Sequence, residues 1–138
     1  MTGPCRAWAL VYDHDCGVCR VVAALVLSAD RRARLRPVAL QDPRSGSLLA
    51  SLPPPLRVRS WHLVDPRGRV ASGGAAVPVL CRLLPGFGWL GLLSGAAPDM
   101  TERIYAGLAG NRRRLGRVIP GRVVGWATRV LDRRGGAG

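Results

Sequence analysis

The sequence has no lysine and a single glutamate, Glu102. All 21 of its basic residues are arginines, against eight acidic residues, and the formal net charge is +13. So uniform a choice of arginine is most simply a result of GC-rich coding, and we attach no function to it. The excess of positive charge is itself typical of chains that meet anionic partners.

Long apolar runs are also absent. The longest uncharged stretch, residues 83–98, has 16 residues and contains four glycines, whereas a membrane-spanning helix needs about 20 mostly apolar residues. A single-pass membrane protein is therefore not expected. The first residues lack the basic region, apolar region and cleavage site of a signal peptide, so we expect the chain to be cytoplasmic.

Hydrophobic residues nevertheless make up 48% of the 138 residues, which excludes a wholly disordered chain and suits one compact domain with a tail. Residues 111–138 carry eight arginines and one aspartate, which is more than half of the net charge in the last fifth of the chain. This basic C-terminal region is predicted to be able to touch an anionic membrane surface. Nucleic-acid binding is not expected, because the few aromatic residues are not interleaved with arginines.

The apolar pattern predicts the element order βαβαββα over the first 84 residues. Residues 7–12 form a short, continuous apolar run that ends at Asp13, typical of a strand buried on both faces. The remaining predicted elements are a helix over 17–29, a strand over 35–40, a helix over 43–52 ended by the prolines at 53–55, strands over 58–64 and 69–71 joined by a turn at 65–68, and a helix over 75–84.

The C-terminal part is predicted to be mainly helical. We expect a loop over 85–98 with at most one helical turn, a helix over 99–115 with Asp99 as N-cap and Glu102 completing a capping box, and a last helix over 122–131. The apolar face of that last helix either packs against the domain, which we favour, or lies on a membrane surface with Trp126. We therefore divide the chain into a core, residues 1–98, and a basic helical extension, residues 99–138, packed on or flanking the core.

One motif contains side chains suited to catalysis. Residues 13–19 read Asp-His-Asp-Cys-Gly-Val-Cys, which places a Cys-x-x-Cys pair where the first strand leads into the first helix. The unpaired amide groups and the dipole at a helix start favour an anion such as a thiolate. We therefore expect Cys16 to attack a substrate disulfide, and Cys19, one turn further along, to resolve the mixed disulfide.

The same pair is also half of a zinc site, whose other ligands would come from Cys5, His14, His62 or Cys81. The sequence has no second Cys-x-x-Cys and no histidine pair, so we favour redox chemistry over a zinc site and over inert packing of the two thiols. Cys5 has no evident partner in the sequence. Cys81 lies among apolar residues of a predicted helix and is interpreted as a small core residue.

Two interpretations of Asp13 and Asp15 stay open. As acids at a helix start they cap free N–H groups and complement the dipole, which is a structural role. Alternatively, one of them moves a proton to or from Cys19 during exchange. We favour the structural role for Asp15 and weigh the two equally for Asp13. Arg20, next to the pair in sequence, either stabilises the thiolate or is simply solvated.

These residues resemble the signature of the DCC-type thiol–disulfide oxidoreductase family, which is an apolar strand, then Asp, a variable residue, Asp, Cys, two variable residues and Cys. The similarity continues through residues 30–40. It reappears in residues 104–112, where Tyr105 and Arg112 resemble parts of the family's Tyr…Ala-x-Asn-Arg helix. The resemblance covers about residues 7–117. It implies a thioredoxin-like fold, in agreement with the βαβαββα order, and a disulfide reductase activity.

Two features depart from the family pattern. His14 stands between the aspartates, where the family usually has glycine, and it either raises the reactivity of the neighbouring thiol or is merely tolerated in the loop. Thioredoxin-like enzymes also commonly place a cis-proline just before the third strand. Here Pro55 is the nearest proline and lies too early, so the usual backbone pairing of the substrate at that proline is not implied.

The sequence thus predicts an α/β protein with a thioredoxin-like βαβαββα core and a helical C-terminal extension. It would exchange disulfides with a protein or small-thiol substrate through Cys16 and Cys19, in the reducing direction expected of a cytoplasm. No metal and no cofactor beyond the cysteine pair is expected. The alternatives are a zinc-stabilised module and a non-catalytic domain that binds an anionic membrane or a partner.

Overall fold

The computed structural model of the protein describes residues 7–58 and 60–135. In chain order the elements are β1 (Trp8–Tyr12), α1 (Gly17–Ala29), β2 (Leu35–Ala39), α2 (Pro43–Leu48), α3 (Pro54–Arg57), β3 (His62–Val64), β4 (Val70–Ser72), a 3₁₀ turn (Gly73–Ala75), α4 (Ala76–Leu83), α5 (Gly88–Ala96), α6 (Pro98–Gly110), α7 (Arg112–Val118) and α8 (Gly121–Gly135).

The strands form one four-stranded sheet in the order β2-β1-β3-β4. β1 runs parallel to β2 and antiparallel to β3, and β4 returns antiparallel to β3. Val11 therefore lies opposite Val38 on one side and His62 on the other. The parallel β1-α1-β2 unit followed by the β3-β4 hairpin is the thioredoxin-like arrangement, which confirms the predicted fold class.

Apolar layers cover both faces of β1, as its continuous apolar run predicts. Leu10 faces the core formed with α1 and α4, where it lies in one cluster with Leu27. Val11 faces the opposite side, in a cluster with Val38 and Leu49. Burial of each such side chain stabilises the fold by roughly 1.5–3 kcal/mol. This packing fixes the end of β1, and with it the loop that carries the cysteines.

The last helix packs against α1 and β2. Ala127 and Leu131 on its apolar face are fully or almost fully buried. Near its end, Arg134 donates to the Asp30 carboxylate at 2.8 Å and to the carbonyl oxygen of Leu27 at 3.0 Å. The domain thus covers the apolar face of α8. The division of the chain at residue 98 into core and extension stays a prediction.

The middle of the chain differs from its predicted bounds. α2 ends at Leu48 rather than near residue 52, and Pro54 begins the short helix α3. The three prolines were expected only to end a helix, but proline is also well placed at the first helical position, where no N–H is needed. As a consequence β3 begins at His62, not at residue 58.

The prediction of a loop over residues 85–98 is wrong, because residues 88–96 form α5. Its glycines suggested a loop, but they let α5 pack closely against α4. A methyl group at Gly91 would lie 3.2 Å from Cβ of Cys81 and 3.1 Å from the carbonyl oxygen of Pro78. Tertiary packing thus outweighs the poor helix propensity of glycine here.

The predicted capping box and the single helix over 99–115 are also wrong. α6 begins at Pro98 with Ala97 as N-cap, so Asp99 lies inside the first turn. Glu102 packs against the 3₁₀ turn instead of capping. α6 ends at Gly110, and a separate helix, α7, begins at Arg112 after Asn111. Within the described part of the chain, no helix combines the length and apolarity needed to cross a membrane.

Candidate active site

Cys16 is the N-cap residue of α1, at the end of the loop that follows β1. Its backbone is extended, and its Sγ accepts a hydrogen bond from the amide of Cys19 at 3.3 Å. The thiol is partly exposed. It lines a polar cleft of about 430 Å³ between the start of α1 and the α6–α7 junction, with Arg113 on the opposite wall. Cys16 is therefore both reachable and bonded to the helix start, as predicted from the motif.

Cys19 lies one turn further into α1 and is partly buried. Burial, and then the hydrogen bond with Cys16, raises the pKa of the Cys19 thiol to about 12. The Arg112 guanidinium approaches its Sγ at 3.8 Å and opposes that rise. At neutral pH Cys19 is accordingly a protonated thiol beside a cation.

Arg112 reaches Cys19 because α6 lies directly on the 3₁₀ turn after β4. A methyl group at Gly74 would lie 2.8 Å from Cα of Glu102, so only glycine allows this approach. Gly73 has φ +57°, a conformation that glycine adopts without strain. The close contact brings α6 and the start of α7 over the cysteine pair.

Tyr105 on α6 joins this helix to the residue before β3. Its hydroxyl accepts a hydrogen bond from the backbone amide of Trp61, just before β3, at 3.4 Å. Burial raises the pKa of the Tyr105 hydroxyl, so it remains neutral at physiological pH. Cys19, Tyr105 and Arg112 together line an apolar pocket of about 260 Å³ beside the pair.

Asp13 and Asp15 are held together by Gln41, which follows β2. The Gln41 amide donates to Asp13 at 2.9 Å and to Asp15 at 3.1 Å, and its carbonyl oxygen accepts from the amide of His14. The Asp13 carboxylate also accepts from the amide of Asp15 at 3.0 Å. Among the described residues, no hydrogen bond joins either carboxylate to a cysteine sulfur. These contacts support the structural interpretation, in which the carboxylates shape the loop before Cys16.

The side chain of His14 contacts Tyr12. Its Nδ1 lies 3.2 Å from the hydroxyl of Tyr12. The Arg20 guanidinium donates to Thr128 on α8 at 3.3 Å. Among the residues that the structure describes, no hydrogen bond joins the side chain of His14 or Arg20 to Cys16.

The other residues weighed as zinc ligands are dispersed. His62 is fully buried, and its ring nitrogens contact Ser72 at 2.6 Å and the carbonyl of Arg57 at 2.9 Å. Burial lowers the pKa of this histidine. Cys81 is buried on α4, and Cys5 lies outside the described residues. In the part of the chain that the structure describes, no group of three or more potential ligands is placed to hold a metal ion.

Three residues that lie beside the cysteine pair or the loop before it were not predicted from the sequence to belong to the site: Gln41, Tyr105 and Arg112. Tyr105 and Arg112 carried a signal, because they belong to the segment that resembles the family's helix, but the sequence does not show that α6 folds onto α1. Gln41 had a weaker signal. It follows β2, and the carboxyl ends of the parallel strands β1 and β2 meet at one edge of the sheet.

One of three comparisons with known proteins gave a match. The sequence model of the DCC1-like thiol-disulfide oxidoreductase family matches residues 10–118. That range contains the cysteine pair, the helices that carry Tyr105 and Arg112, and all of the sheet except the first two residues of β1. Searches of curated proteins and of solved structures returned no match. The chain belongs to the DCC1-like thiol-disulfide oxidoreductase family.

Proposed function

We propose that the protein reduces disulfide bonds, with Cys16 as the attacking thiol and Cys19 as the resolving thiol. The observation that carries this proposal is the difference between the two sulfur atoms. Cys16 opens into a cleft and accepts an amide hydrogen bond, whereas Cys19 is partly buried, protonated and next to Arg112. An exchange enzyme needs one reachable nucleophile and one sheltered thiol held beside it.

In the first step the Cys16 thiolate attacks one sulfur of a substrate disulfide. A bond forms between Cys16 and that sulfur while the substrate S–S bond breaks, and the other substrate sulfur leaves as a thiolate that takes a proton from water. The amide of Cys19, directed at Cys16 Sγ, stabilises the negative charge of the nucleophile before attack.

In the second step Cys19 loses its proton to water and attacks Cys16 Sγ. A Cys16–Cys19 bond forms while the bond between Cys16 and the substrate sulfur breaks, and that sulfur leaves as a thiolate that takes a proton from water. Formation of the mixed disulfide makes it easier for Cys19 to lose its proton. Cys16 then carries no negative charge to repel a Cys19 thiolate, and its sulfur no longer accepts a hydrogen bond from the Cys19 thiol. Two of the causes that raise the pKa of Cys19 are thereby removed, while Arg112 stays in place to stabilise its thiolate.

The products are two substrate thiols and a Cys16–Cys19 disulfide, so electrons and atoms balance. A second thiol compound must then reduce that disulfide before another turnover. We place the protein in a reducing cytoplasm, where thiol donors of this class are abundant. In this scheme Asp13 and Asp15 act as positioning residues, and no bound cofactor takes part.

Serine substitutions test the proposal. With insulin as substrate and dithiothreitol as reductant, Cys16→Ser abolishes the catalysed reduction, because no attacking thiol remains. Cys19→Ser, reduced beforehand and separated from the dithiothreitol, still attacks and accumulates a mixed disulfide with insulin, detected by non-reducing electrophoresis and mass spectrometry. Cys81→Ala, which alters a buried thiol away from the cleft, is the control with full activity. Full activity of the Cys16→Ser protein contradicts the proposal.

A further inference from the structure

The resolving step makes no use of the apolar pocket beside Cys19. Its base is formed by the buried side chains Leu10, Ala23 and Leu80. Its rim carries four large apolar side chains that are 40–65% exposed, namely Val22, Val58, Leu108 and Leu115. An apolar cavity with an exposed apolar rim is the usual form of a binding site.

The pocket is directly connected to the place where a substrate is bonded. Cys19 lines the pocket, and its amide lies 3.3 Å from Cys16 Sγ. Asp13, Val18 and Arg112 line both the pocket and the polar cleft into which Cys16 opens. A residue next to the cysteine of a substrate bonded to Cys16 is therefore brought to the mouth of the pocket.

The size of the pocket and the surface around it favour a polypeptide as occupant. A volume of about 260 Å³ lies below the roughly 300–1,000 Å³ of small-molecule sites and suits one large apolar side chain. Beyond the rim, Met100, Ile104 and Leu108 form an exposed apolar stripe at four-residue spacing along α6. A small ligand in the pocket would leave this stripe uncovered, whereas a polypeptide crosses both.

We propose that the pocket selects polypeptide disulfides in which a large apolar residue adjoins the cysteine. This inference rests on the proposed function. The apolar side chain enters beside Cys19 and anchors the substrate, while Cys16 attacks the neighbouring sulfur. Such an anchor needs no backbone pairing before β3, the contact that Pro55, placed within α3, does not supply. The chemical step is the exchange already written, and the pocket changes only which substrates reach it.

Single-turnover reduction of two matched peptides tests the pocket. Each peptide carries one cysteine as a mixed disulfide with 2-mercaptoethanol, and the two differ only in having phenylalanine or serine on both sides of that cysteine. The reduced protein converts each mixed disulfide into two thiols and its own Cys16–Cys19 disulfide. We expect the phenylalanine peptide to react about tenfold faster, because only its side chain is buried on binding.

Two positions on α1 provide a matched pair of variants. Val22 lines the pocket and is 53% exposed, whereas Leu25 does not line it and is 56% exposed. Val22→Gln lowers the preference for phenylalanine to about threefold or less, and Leu25→Gln leaves it unchanged. Val58→Gln, at the opposite rim, repeats the effect of Val22→Gln and guards against a local defect in α1. Glutamine adds no charge, so the electrostatics of the thiols are unaltered.

Reduction of 2-hydroxyethyl disulfide, which has no side chain to anchor, separates the two proposals. Equal rates for this probe in the original protein and Leu25→Gln, together with a phenylalanine preference that falls in Val22→Gln but not in Leu25→Gln, support the pocket. If the original protein reduces the probe but reacts equally fast with both peptides, the proposed role of the pocket is wrong and the exchange mechanism is still supported. Equal loss of preference in Val22→Gln and Leu25→Gln also overturns the proposed role of the pocket. No reduction of the probe by the original protein refutes the exchange mechanism and the pocket together.

Discussion

Replacing Arg134 by alanine is expected to cost a large part of the stability of the fold. Arg134, near the end of α8, pairs with the Asp30 carboxylate at 2.8 Å, and that carboxylate is fully buried. Arg134 also donates to the carbonyl oxygens of Leu27 and Leu35. One guanidinium thus joins the end of α1, the start of β2 and the last helix.

The loss of unfolding free energy depends on the buried Asp30 carboxylate, which the substitution leaves without its cation. Removing one partner of a buried ion pair destabilises a protein by roughly 3–5 kcal/mol. Here the loss is smaller, because Arg134 is 29% exposed and Asp30 keeps hydrogen bonds from the amides of Arg34 and Leu35. We expect about 2–3 kcal/mol, which lowers the urea midpoint by roughly 1–2 M for a typical urea dependence.

The assay is equilibrium urea unfolding followed by circular dichroism. The matched control is Arg133→Ala on the same helix, since Arg133 is exposed and, within the described residues, its side chain makes one hydrogen bond, to the Arg129 carbonyl at 3.4 Å. Its free energy of unfolding changes by about 0.5 kcal/mol or less. Equal midpoints for the two variants would refute the reasoning, because they would mean that Arg134 does not join α8 to the core.

Three further predictions concern single contacts. Arg112→Gln removes the cation beside Cys19 and raises the pKa of that thiol further, so the mixed disulfide on Cys16 resolves several-fold more slowly in stopped-flow experiments. Arg113→Gln, which lines the cleft without contacting Cys19, is its control. Gln41→Ala loosens the loop before Cys16 and lowers stability by about 1 kcal/mol in thermal unfolding. Ala33→Gly relieves a φ of 51° and raises stability by up to about 1 kcal/mol in urea unfolding.

Each of these predictions has a contradicting result. Resolution at the original rate in Arg112→Gln, or equal slowing in Arg113→Gln, would remove Arg112 from the mechanism. An unchanged melting temperature for Gln41→Ala would show that its hydrogen bonds do not stabilise the loop. A loss of stability in Ala33→Gly would show that the entropy of glycine in the unfolded chain outweighs the relief of strain.

The first third of the fold could be predicted closely because local pattern and tertiary structure agree there. The bounds of α1 are confirmed at 17 and 29, since the apolar face repeats without interruption and Asp30 follows it. The region around α5 could not be predicted in the same way. Its four neighbouring glycines are poor helix formers, and the packing of Gly91 on Cys81 becomes apparent only in three dimensions.

The same distinction applies to the site. Cys16 and Cys19 are one helical turn apart in the chain, so their meeting at the start of α1 follows from the motif alone. Arg112 is 93 residues beyond Cys19, and it reaches the thiol only because two glycines let α6 lie on the 3₁₀ turn. Nothing local to residues 111–114 indicates that contact, and their charge pointed instead to an anionic surface.

The central claim is that Cys16 attacks and Cys19 resolves, and alkylation rates test it most directly. The reduced protein is treated with iodoacetamide over a range of pH, and the modified cysteines are identified by mass spectrometry, with buried Cys81 as an internal reference. The account predicts that Cys16 is alkylated first at pH 7, and that the rate at Cys19 rises only in strongly alkaline solution, toward its pKa of about 12. Alkylation of Cys19 at pH 7 as fast as that of Cys16 would contradict the account.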